Sequence, residues 1–201
     1  MKDGIILFDV DYTTNHPSRN YPVRLLPRSM EMKFNQNFIS YTLKDGVGLF
    51  NLSTISNLKE RTTTVLIKVF DKKYVYTGPI EDGSIFFRRA NPYTVISGKD
   101  TIRLSGILCQ KARVTDTMSH RTFEVAYVEG VDIDNINEYT PYKDIDGLLM
   151  KFVVQMENLE ILFTAKRYIE KEVPDQAFVI PDGYKFISKE QTIKIISSLL
   201  P

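Results

Sequence analysis

The feature of the sequence that most constrains its fold is a pair of alternating segments in the C-terminal half of the chain. Apolar residues occupy every second position of residues 148–156 and of residues 159–165, with Lys151 and Gln155 at positions between them. Because successive side chains of a β-strand point to opposite faces, this period of two predicts two strands with one apolar and one polar face each. The short link Glu157-Asn158 predicts a tight turn, so that the strands form an antiparallel hairpin.

Related patterns predict strands along most of the chain. Alternating or β-branched segments occur at residues 4–12, 47–55, 62–70, 73–77, 101–106, 107–116 and 121–128. Between Met30 and Leu43 the apolar positions change parity, which predicts one long strand with a bulge or a strong curvature. Lys44-Asp45-Gly46 predicts a hairpin turn, and residues 131–147 indicate a polar loop. For residues 84–90, a short strand and a helical turn both stay open.

A helical pattern is clear only at the C-terminal end of the chain. Ser188 and Gln191 have the spacing of a capping box, in which the two residues bond to each other's backbone N–H groups. Behind them, Ile193, Ile196 and Leu200 fall near one stripe of a helix. The sequence therefore predicts a C-terminal amphipathic helix.

The segment before this helix is predicted to close the sheet. Residues 178–180 predict a short strand that Pro181 ends, because proline cannot donate a hydrogen bond to a continuing ladder. Asp182-Gly183 predicts a turn. We expect Tyr184 and Phe186 to pack against the helix that follows.

These elements predict a mainly β protein of the α+β class, with a single domain over residues 1–201. We expect a curved antiparallel sheet, or half-barrel, of about 9–11 strands with the C-terminal amphipathic helix. Strands and helices do not alternate along the chain, which argues against a parallel sheet. A short helix before residue 30, in a connection that contains three prolines, stays open.

Composition and motifs exclude several classes of function. The 26 basic and 25 acidic residues give a net charge of +1, which argues against a nucleic-acid-binding protein. No apolar run reaches the length of a transmembrane helix. The apolar neighbours of the single cysteine, Cys109, predict a buried thiol. His16 and His120 lack the partners of a zinc site or a catalytic triad, so we expect no enzyme, no cofactor and no metal site.

The positive feature of the chain is the abundance of methionine and phenylalanine on the apolar strand faces. Flexible thioethers and flat rings suit an adaptable surface that accepts varied apolar ligands. The candidate lining residues of such a surface are Phe34, Met150, Phe152, Val154, Met156 and Phe163. The alternative is that these side chains pack under a helix as an ordinary core.

Two stretches, GILCQKARVT and PYKDIDGLLMKFVVQMENLEILFTAKRYIEKEVPDQAFVIPDGYKFIS, cover much of residues 100–190. Phe178, Pro181, Gly183 and Tyr184 form an F-x-x-P-x-G-Y element within the second stretch. These features resemble secreted, poorly characterised proteins of Bacteroidota, namely the GLPGLI type and a related family of unknown function. The resemblance implies export, with a signal peptide outside this sequence, and a LolA-like half-barrel of the lipoprotein-carrier kind.

The apolar strand faces and the resemblance together indicate an exported, non-enzymatic binding protein. We expect the concave face of the half-barrel to hold a lipid or the acyl chain of a lipoprotein, in the periplasm or at the cell surface. The alternative is a structural or interaction domain of the cell envelope, with an envelope protein as partner and no small-molecule ligand.

Overall fold

The computed structural model of this protein describes residues 1–14, 26–82, 93–134, 136–156 and 159–199. Within these ranges, twelve strands form one curved, unclosed sheet, and one α-helix, α1, spans Lys189–Leu199. The strands, β1 to β12 in chain order, span Gly4–Thr14, Ser29–Phe34, Phe38–Lys44, Phe50–Asn57, Thr62–Val69, Lys72–Pro79, Tyr93–Leu104, Ile107–Asp116, Thr122–Val128, Leu148–Met156, Leu159–Ile169 and Lys185–Phe186. The predicted half-barrel with a C-terminal helix is confirmed.

Two antiparallel meanders meet at β1 to form this sheet. Strands β1 to β6 lie side by side in chain order, and so do β7 to β11, so that β1 pairs with both β2 and β11. In the described part of the chain, β7 ends the sheet on one side, and the two-residue β12 ends it on the other by pairing with β6 in parallel. Meanders of this kind need only short connections, because consecutive strands are neighbours.

The predicted C-terminal hairpin is formed by β10 and β11 and lies near the middle of the sheet. Phe152 is opposite Phe163, and Lys151 is opposite Thr164, so the apolar positions of the two strands share one face. Strand β11 continues into a long ladder with β1. The expected turn at Glu157-Asn158 lies outside the described residues.

The prediction of one long strand between Met30 and Leu43 is wrong, since the chain forms two strands, β2 and β3, with a turn between them. Asn35 stabilises this turn. Its Oδ1 accepts hydrogen bonds from the N–H groups of Asn37 and Phe38, at 2.9 and 2.8 Å. Side chain–backbone bonds of this kind favour a turn over a continuing strand. The change of parity in the sequence therefore marks a hairpin and not a bulge.

Most other predicted strands occur near their expected positions, and the hairpin turn at Lys44-Asp45-Gly46 is confirmed. The largest difference is β7, which begins at Tyr93 instead of residue 101. Its register against β8 shifts between Ser97 and Thr101, and this irregularity hides the period of two in the sequence. Residues 84–90, for which a short strand and a helical turn are both open, lie outside the described residues, and so does most of the proline-containing connection before residue 30.

The capping box of the C-terminal helix is confirmed. The Ser188 Oγ accepts a hydrogen bond from the Gln191 N–H at 3.2 Å, and the Gln191 Oε1 accepts one from the Ser188 N–H at 3.0 Å. Thr192 and Ile196 are buried, and Ile196 belongs to the hydrophobic core. The helix is therefore amphipathic, as its sequence predicts.

The predicted strand at residues 178–180 is wrong, because a 3₁₀-helix spans Asp175–Phe178 and leaves Val179 exposed. The carboxylate of Asp175 accepts hydrogen bonds from the side chains of Asn35 and Asn37, at 2.7 and 3.3 Å. These bonds hold the segment against the β2–β3 turn instead of in a ladder.

The residues between this 3₁₀-helix and α1 follow the prediction only in part. Gly183 has a φ of 83°, which confirms the turn at Asp182-Gly183. Phe186 lies in β12 and is 68% exposed, so the expected packing of its ring against α1 is wrong. Tyr184 is half-buried, with the Lys73 Nζ 5.7 Å from its ring centroid. The ladder with β6 turns Phe186 towards solvent.

Candidate functional site

The candidate lining residues lie on what we call the inner face of the sheet, the face that carries the continuous hydrophobic core. Five of the six have at most 2% of their surface exposed, namely Phe34, Met150, Phe152, Val154 and Phe163. The side chain of Met156, the last residue of β10, lies outside the described residues. The structure thus brings the described candidates together, and they form part of the chain's own core.

Aromatic rings from three other segments surround Phe152 on the inner face. The ring of Phe163 stacks on it at a centroid distance of 4.9 Å and an interplanar angle of 17°. The rings of Phe8 and Tyr142 meet it edge to face, at 5.7 and 6.2 Å. Stacked and edge-to-face pairs are the favourable arrangements of aromatic rings. The space around Phe152 is therefore filled by side chains of the same chain.

Tyr142 reaches the inner face from the loop between β9 and β10 and is fully buried, with 0% of its surface exposed. Its hydroxyl donates a hydrogen bond to the Val153 carbonyl at 2.5 Å and accepts one from the Val153 N–H at 3.1 Å. Burial raises the pKa of this hydroxyl well above its usual value. The tyrosine therefore stays neutral and satisfies two buried backbone groups of β10.

The hydroxyl of Tyr142 replaces a strand contact that β10 lacks. Strand β9 pairs with β10 only as far as Lys151, opposite Ala126, and the register already shifts between Leu149 and Lys151. Beyond this point β10 continues beside β11 alone within the described residues. The loop side chain thus fills the opening between β9 and β10.

The sequence did not predict that this loop belongs to the core, because its acidic residues indicate a solvated segment. Ile133, Ile136 and Ile145 are nevertheless buried together with Tyr142. Asn137 holds the loop in shape, since its Nδ2 donates to the Ile145 and Gly147 carbonyls, both at 2.8 Å. The recurrence of isoleucine among the acidic residues is the signal that could have identified this loop.

A polar cluster borders the aromatic rings near the start of β7. The Tyr93 hydroxyl and the Arg121 Nη1 are buried without a hydrogen-bond partner among the described residues. The Arg121 Nη2 lies 2.7 Å from the Glu160 carboxylate. Burial, with the nearby Asp116 and Glu160 carboxylates, raises the pKa of Tyr93 to about 12. Because of this raised pKa, Tyr93 does not ionise near neutral pH.

Two surface cavities lie away from the candidate lining residues. One, of about 410 Å³, is bordered by β7, β8 and β9 and includes Gly98 and Lys111. The other, of about 390 Å³, lies between the β2–β3 turn and the 3₁₀-helix. In the second cavity the amide of Asn35 is already engaged, because it donates to the Val173 carbonyl at 2.9 Å. Neither cavity opens onto a candidate lining residue.

The residue types that most often perform catalysis do not converge in the described part of the chain. His120 is exposed in the turn between β8 and β9, with a φ of 54°, and His16 lies outside the described residues. Cys109 is buried, as its neighbours predict, and burial raises the pKa of its thiol. No group of three or more His, Cys, Asp or Glu side chains is placed to hold a metal ion within the described ranges.

No protein-family model matches the chain, and no curated protein matches its sequence. Among the helical residues that the structure describes, no helix has both the length and the apolar character needed to cross a membrane.

Proposed function

We propose that this protein is a non-enzymatic interaction domain of the cell envelope and that its inner face is a structural core. The observation that carries this proposal is the burial of the five described candidate residues, each at most 2% exposed. A pocket for varied apolar ligands needs unfilled volume, whereas protein cores are packed about as densely as organic crystals. The rings of Phe8, Tyr142 and Phe163 fill the space around Phe152, so the inner face is packed like a core and not open like a ligand pocket.

The exposed apolar side chains support the interaction role. They lie on turns, on the outer strands of the sheet and near the C-terminal helix, and they are Val47, Leu49, Phe70, Ile96, Leu108, Met118, Val179, Ile180 and Phe186. Large apolar side chains that cluster in solvent mark surfaces that contact other molecules. These exposed side chains are the positions at which we expect a partner to bind, while the inner face stays filled.

The proposed location is the periplasm or the cell surface. The support is the resemblance of residues 100–190 to secreted proteins. Fractionation of cells that express the complete gene product tests it, with the protein expected in the periplasmic or surface fraction. Recovery of the folded protein from the cytoplasm alone would contradict this location.

Titration of the delipidated protein with a fluorescent fatty acid tests the filled inner face. We expect no saturable binding by the wild-type chain and no lipid in mass spectra of the purified protein. The Phe152→Ala variant is the matched comparison, because it opens an apolar cavity among the surrounding rings, and such cavities bind small apolar molecules. Benzene binding to this variant but not to the wild type, observed by NMR, would support the proposal. Saturable fatty-acid binding by the wild type would overturn it.

The second candidate function is that of an acyl-chain carrier, and two observations favour it. Met30, Met32 and Met150 all lie on the inner face with at most 1% of their surface exposed, and flexible thioethers repack easily. The sheet is also unclosed. A lipid on this face would have to displace Tyr142. If the protein is a carrier, Tyr142→Ala should therefore increase its affinity for the fluorescent fatty acid. If it is an interaction domain, the wild type should show no affinity for the fatty acid.

A further inference from the structure

Two neighbouring hairpins carry exposed apolar side chains at the same end of the sheet. Val47 and Leu49, in the β3–β4 turn, are 76% and 49% exposed, and Phe70, in the β5–β6 turn, is 65% exposed. The Phe70 N–H donates a hydrogen bond to the Leu49 carbonyl at 2.7 Å, so the two turns touch. We call these three residues the tip cluster.

The backbone of the two turns is well defined. The Asp45 carboxylate accepts hydrogen bonds from the N–H groups of Leu49 and Phe50, at 3.3 and 3.2 Å, and so fixes the first turn. In the second turn, Phe70 has a φ of 54°, a conformation that is unfavourable for a bulky side chain and easy for glycine or asparagine. Because the Phe70 ring is mostly exposed, its burial contributes little to stability.

A row of lysines lies directly behind the tip cluster, on the outer face of the sheet. Lys44 is opposite Asn51, Asn51 is opposite Lys68, and Lys68 is opposite Lys73. Facing residues of antiparallel strands have Cβ atoms only about 5 Å apart, so Lys68 and Lys73 are neighbours on this face. No ion pair involves these three lysines within the described residues. We call them the lysine row.

The lysine row and the tip cluster are physically joined. The Lys68 Nζ donates a hydrogen bond to the Gly48 carbonyl at 2.8 Å, which places a positive charge at the base of the apolar tip. Lys72, at the start of β6, adds a further exposed positive charge, while Asp45 and Asp71 are the acidic residues of the two turns. The surface formed by the tip cluster and the lysine row thus carries four lysines, which are Lys72 and the three of the row, against these two aspartates. The whole chain, in contrast, is nearly neutral at +1.

We propose that the tip cluster inserts into an anionic lipid surface while the lysine row contacts its head groups. Apolar side chains at the tip can enter the boundary between head groups and acyl chains, and lysines one step behind remain at the charged level. Each lysine near an anionic surface adds attraction that salt weakens. This surface supplies a partner for the interaction domain proposed above and therefore rests on that proposed function.

The test is sedimentation of the full chain with vesicles of phosphatidylcholine, with and without phosphatidylglycerol, at low and high salt. We expect binding only to the anionic vesicles, weakened by salt.

Phe70→Gly should reduce the affinity about tenfold, because it removes one inserted apolar side chain. Glycine also suits the positive φ at this position, so the Phe70→Gly variant should fold at least as well as the wild type. Lys44→Gln with Lys73→Gln should reduce affinity about twentyfold at low salt.

Matched variants separate these effects from general changes of surface. Phe186→Ser removes an equally exposed ring, 68% exposed, outside the tip cluster. Lys99→Gln with Lys171→Gln makes the same change of charge elsewhere on the surface. Both controls should bind anionic vesicles like the wild type. The proposal is overturned if the wild type does not sediment with anionic vesicles, if it binds neutral vesicles equally well, or if the tip variants match these controls.

The same preparations separate failure of this proposal from failure of the proposed function. If vesicles are not bound and no fatty acid is bound, the lipid surface is the wrong partner and the filled inner face stands. If the tip cluster instead joins two copies of the chain, size-exclusion chromatography would show a dimer that Phe70→Gly dissociates, and the lipid proposal would be overturned. If fatty acid saturates the wild type, the proposed function fails whatever the vesicles show.

Discussion

Two phenylalanines of this chain stand in opposite surroundings, and the contrast separates residues that hold the fold from residues available to a partner. Phe152 is 2% exposed and touches three aromatic rings on the inner face. Phe70 is 65% exposed, in a turn whose φ of 54° disfavours a bulky residue. The side chain of Phe152 is buried among apolar partners, whereas that of Phe70 is bordered by a neighbouring turn and by solvent. Burial of Phe152 stabilises the protein, and exposure of Phe70 does not.

The largest expected effect comes from breaking the buried side of this contrast. Phe152→Ala should lower the free energy of unfolding by about 3–5 kcal/mol, because it removes apolar contacts and leaves a cavity among rigid rings. Urea denaturation followed by circular dichroism measures the change. The exposed ring at Phe186, replaced by alanine, should change the free energy by less than about 0.5 kcal/mol. Equal losses in the two variants would mean that the inner face is not a packed core.

Removal of one hydroxyl tests whether the loop residue Tyr142 is a structural part of the inner face. Tyr142→Phe keeps the ring but leaves the Val153 N–H and carbonyl without their bonds to the hydroxyl. We expect a loss of about 2–3 kcal/mol, the cost of unpaired polar groups in a buried position. The same denaturation experiment measures it. A loss near zero would show that β9 or water replaces the hydroxyl.

Alkaline pH should lower the stability of the folded protein through Tyr142, by a smaller amount than the two substitutions above. Burial raises the pKa of the Tyr142 hydroxyl, so the folded state holds this proton more tightly than the unfolded chain, in which a tyrosine pKa is about 10. The stabilisation is therefore complete below about pH 10 and is lost as the pH rises through the folded pKa. Tyr93, with its pKa raised to about 12, acts in the same direction.

The measurement is the urea midpoint between about pH 8 and pH 11, compared between the wild type and Tyr142→Phe. The wild type should lose stability more steeply at the alkaline end, because the variant lacks one of the titrating hydroxyls. Parallel profiles for the two proteins would contradict the assigned role of this hydroxyl.

The sequence predicted the elements whose two faces differ and failed where a single contact decides the structure. Strands β10 and β11 alternate between apolar and polar residues over long stretches, so their hairpin could be predicted from a period of two. The β2–β3 turn depends on Asn35, whose Oδ1 bonds two backbone N–H groups, and nothing in the periodicity distinguishes this turn from a bulge. Short asparagine turns are therefore decided by local bonds that a pattern of apolar residues does not carry.

The sequence predicted that the candidate lining residues of β10 and β11 share one face, but it did not predict that loop residues cover this face. The parity of β10 and β11 places Phe152 and Phe163 on one face, and the structure agrees. Whether that face is open depends on Tyr142, which enters because β9 leaves β10 beyond Lys151. The tip cluster depends equally on tertiary structure, since the β3–β4 and β5–β6 turns become neighbours only through the intervening ladder. Sequence periodicity assigns faces, but it does not determine which loop covers a face.

The smallest expected effect lies on the exposed side of the contrast and has the opposite sign. Phe70→Gly should leave the free energy of unfolding unchanged or raise it by up to about 1 kcal/mol. Glycine accepts the positive φ without the steric cost that phenylalanine bears, although the more flexible unfolded chain offsets part of this gain. Because the ring is 65% exposed, little burial is lost.

Phe70→Asn, which also tolerates this φ, is the matched variant and should behave alike. A loss of more than about 1 kcal/mol in both, measured by urea denaturation, would make Phe70 a structural residue like Phe152. A gain combined with weaker binding to anionic vesicles would show that phenylalanine at this turn serves binding at the expense of stability.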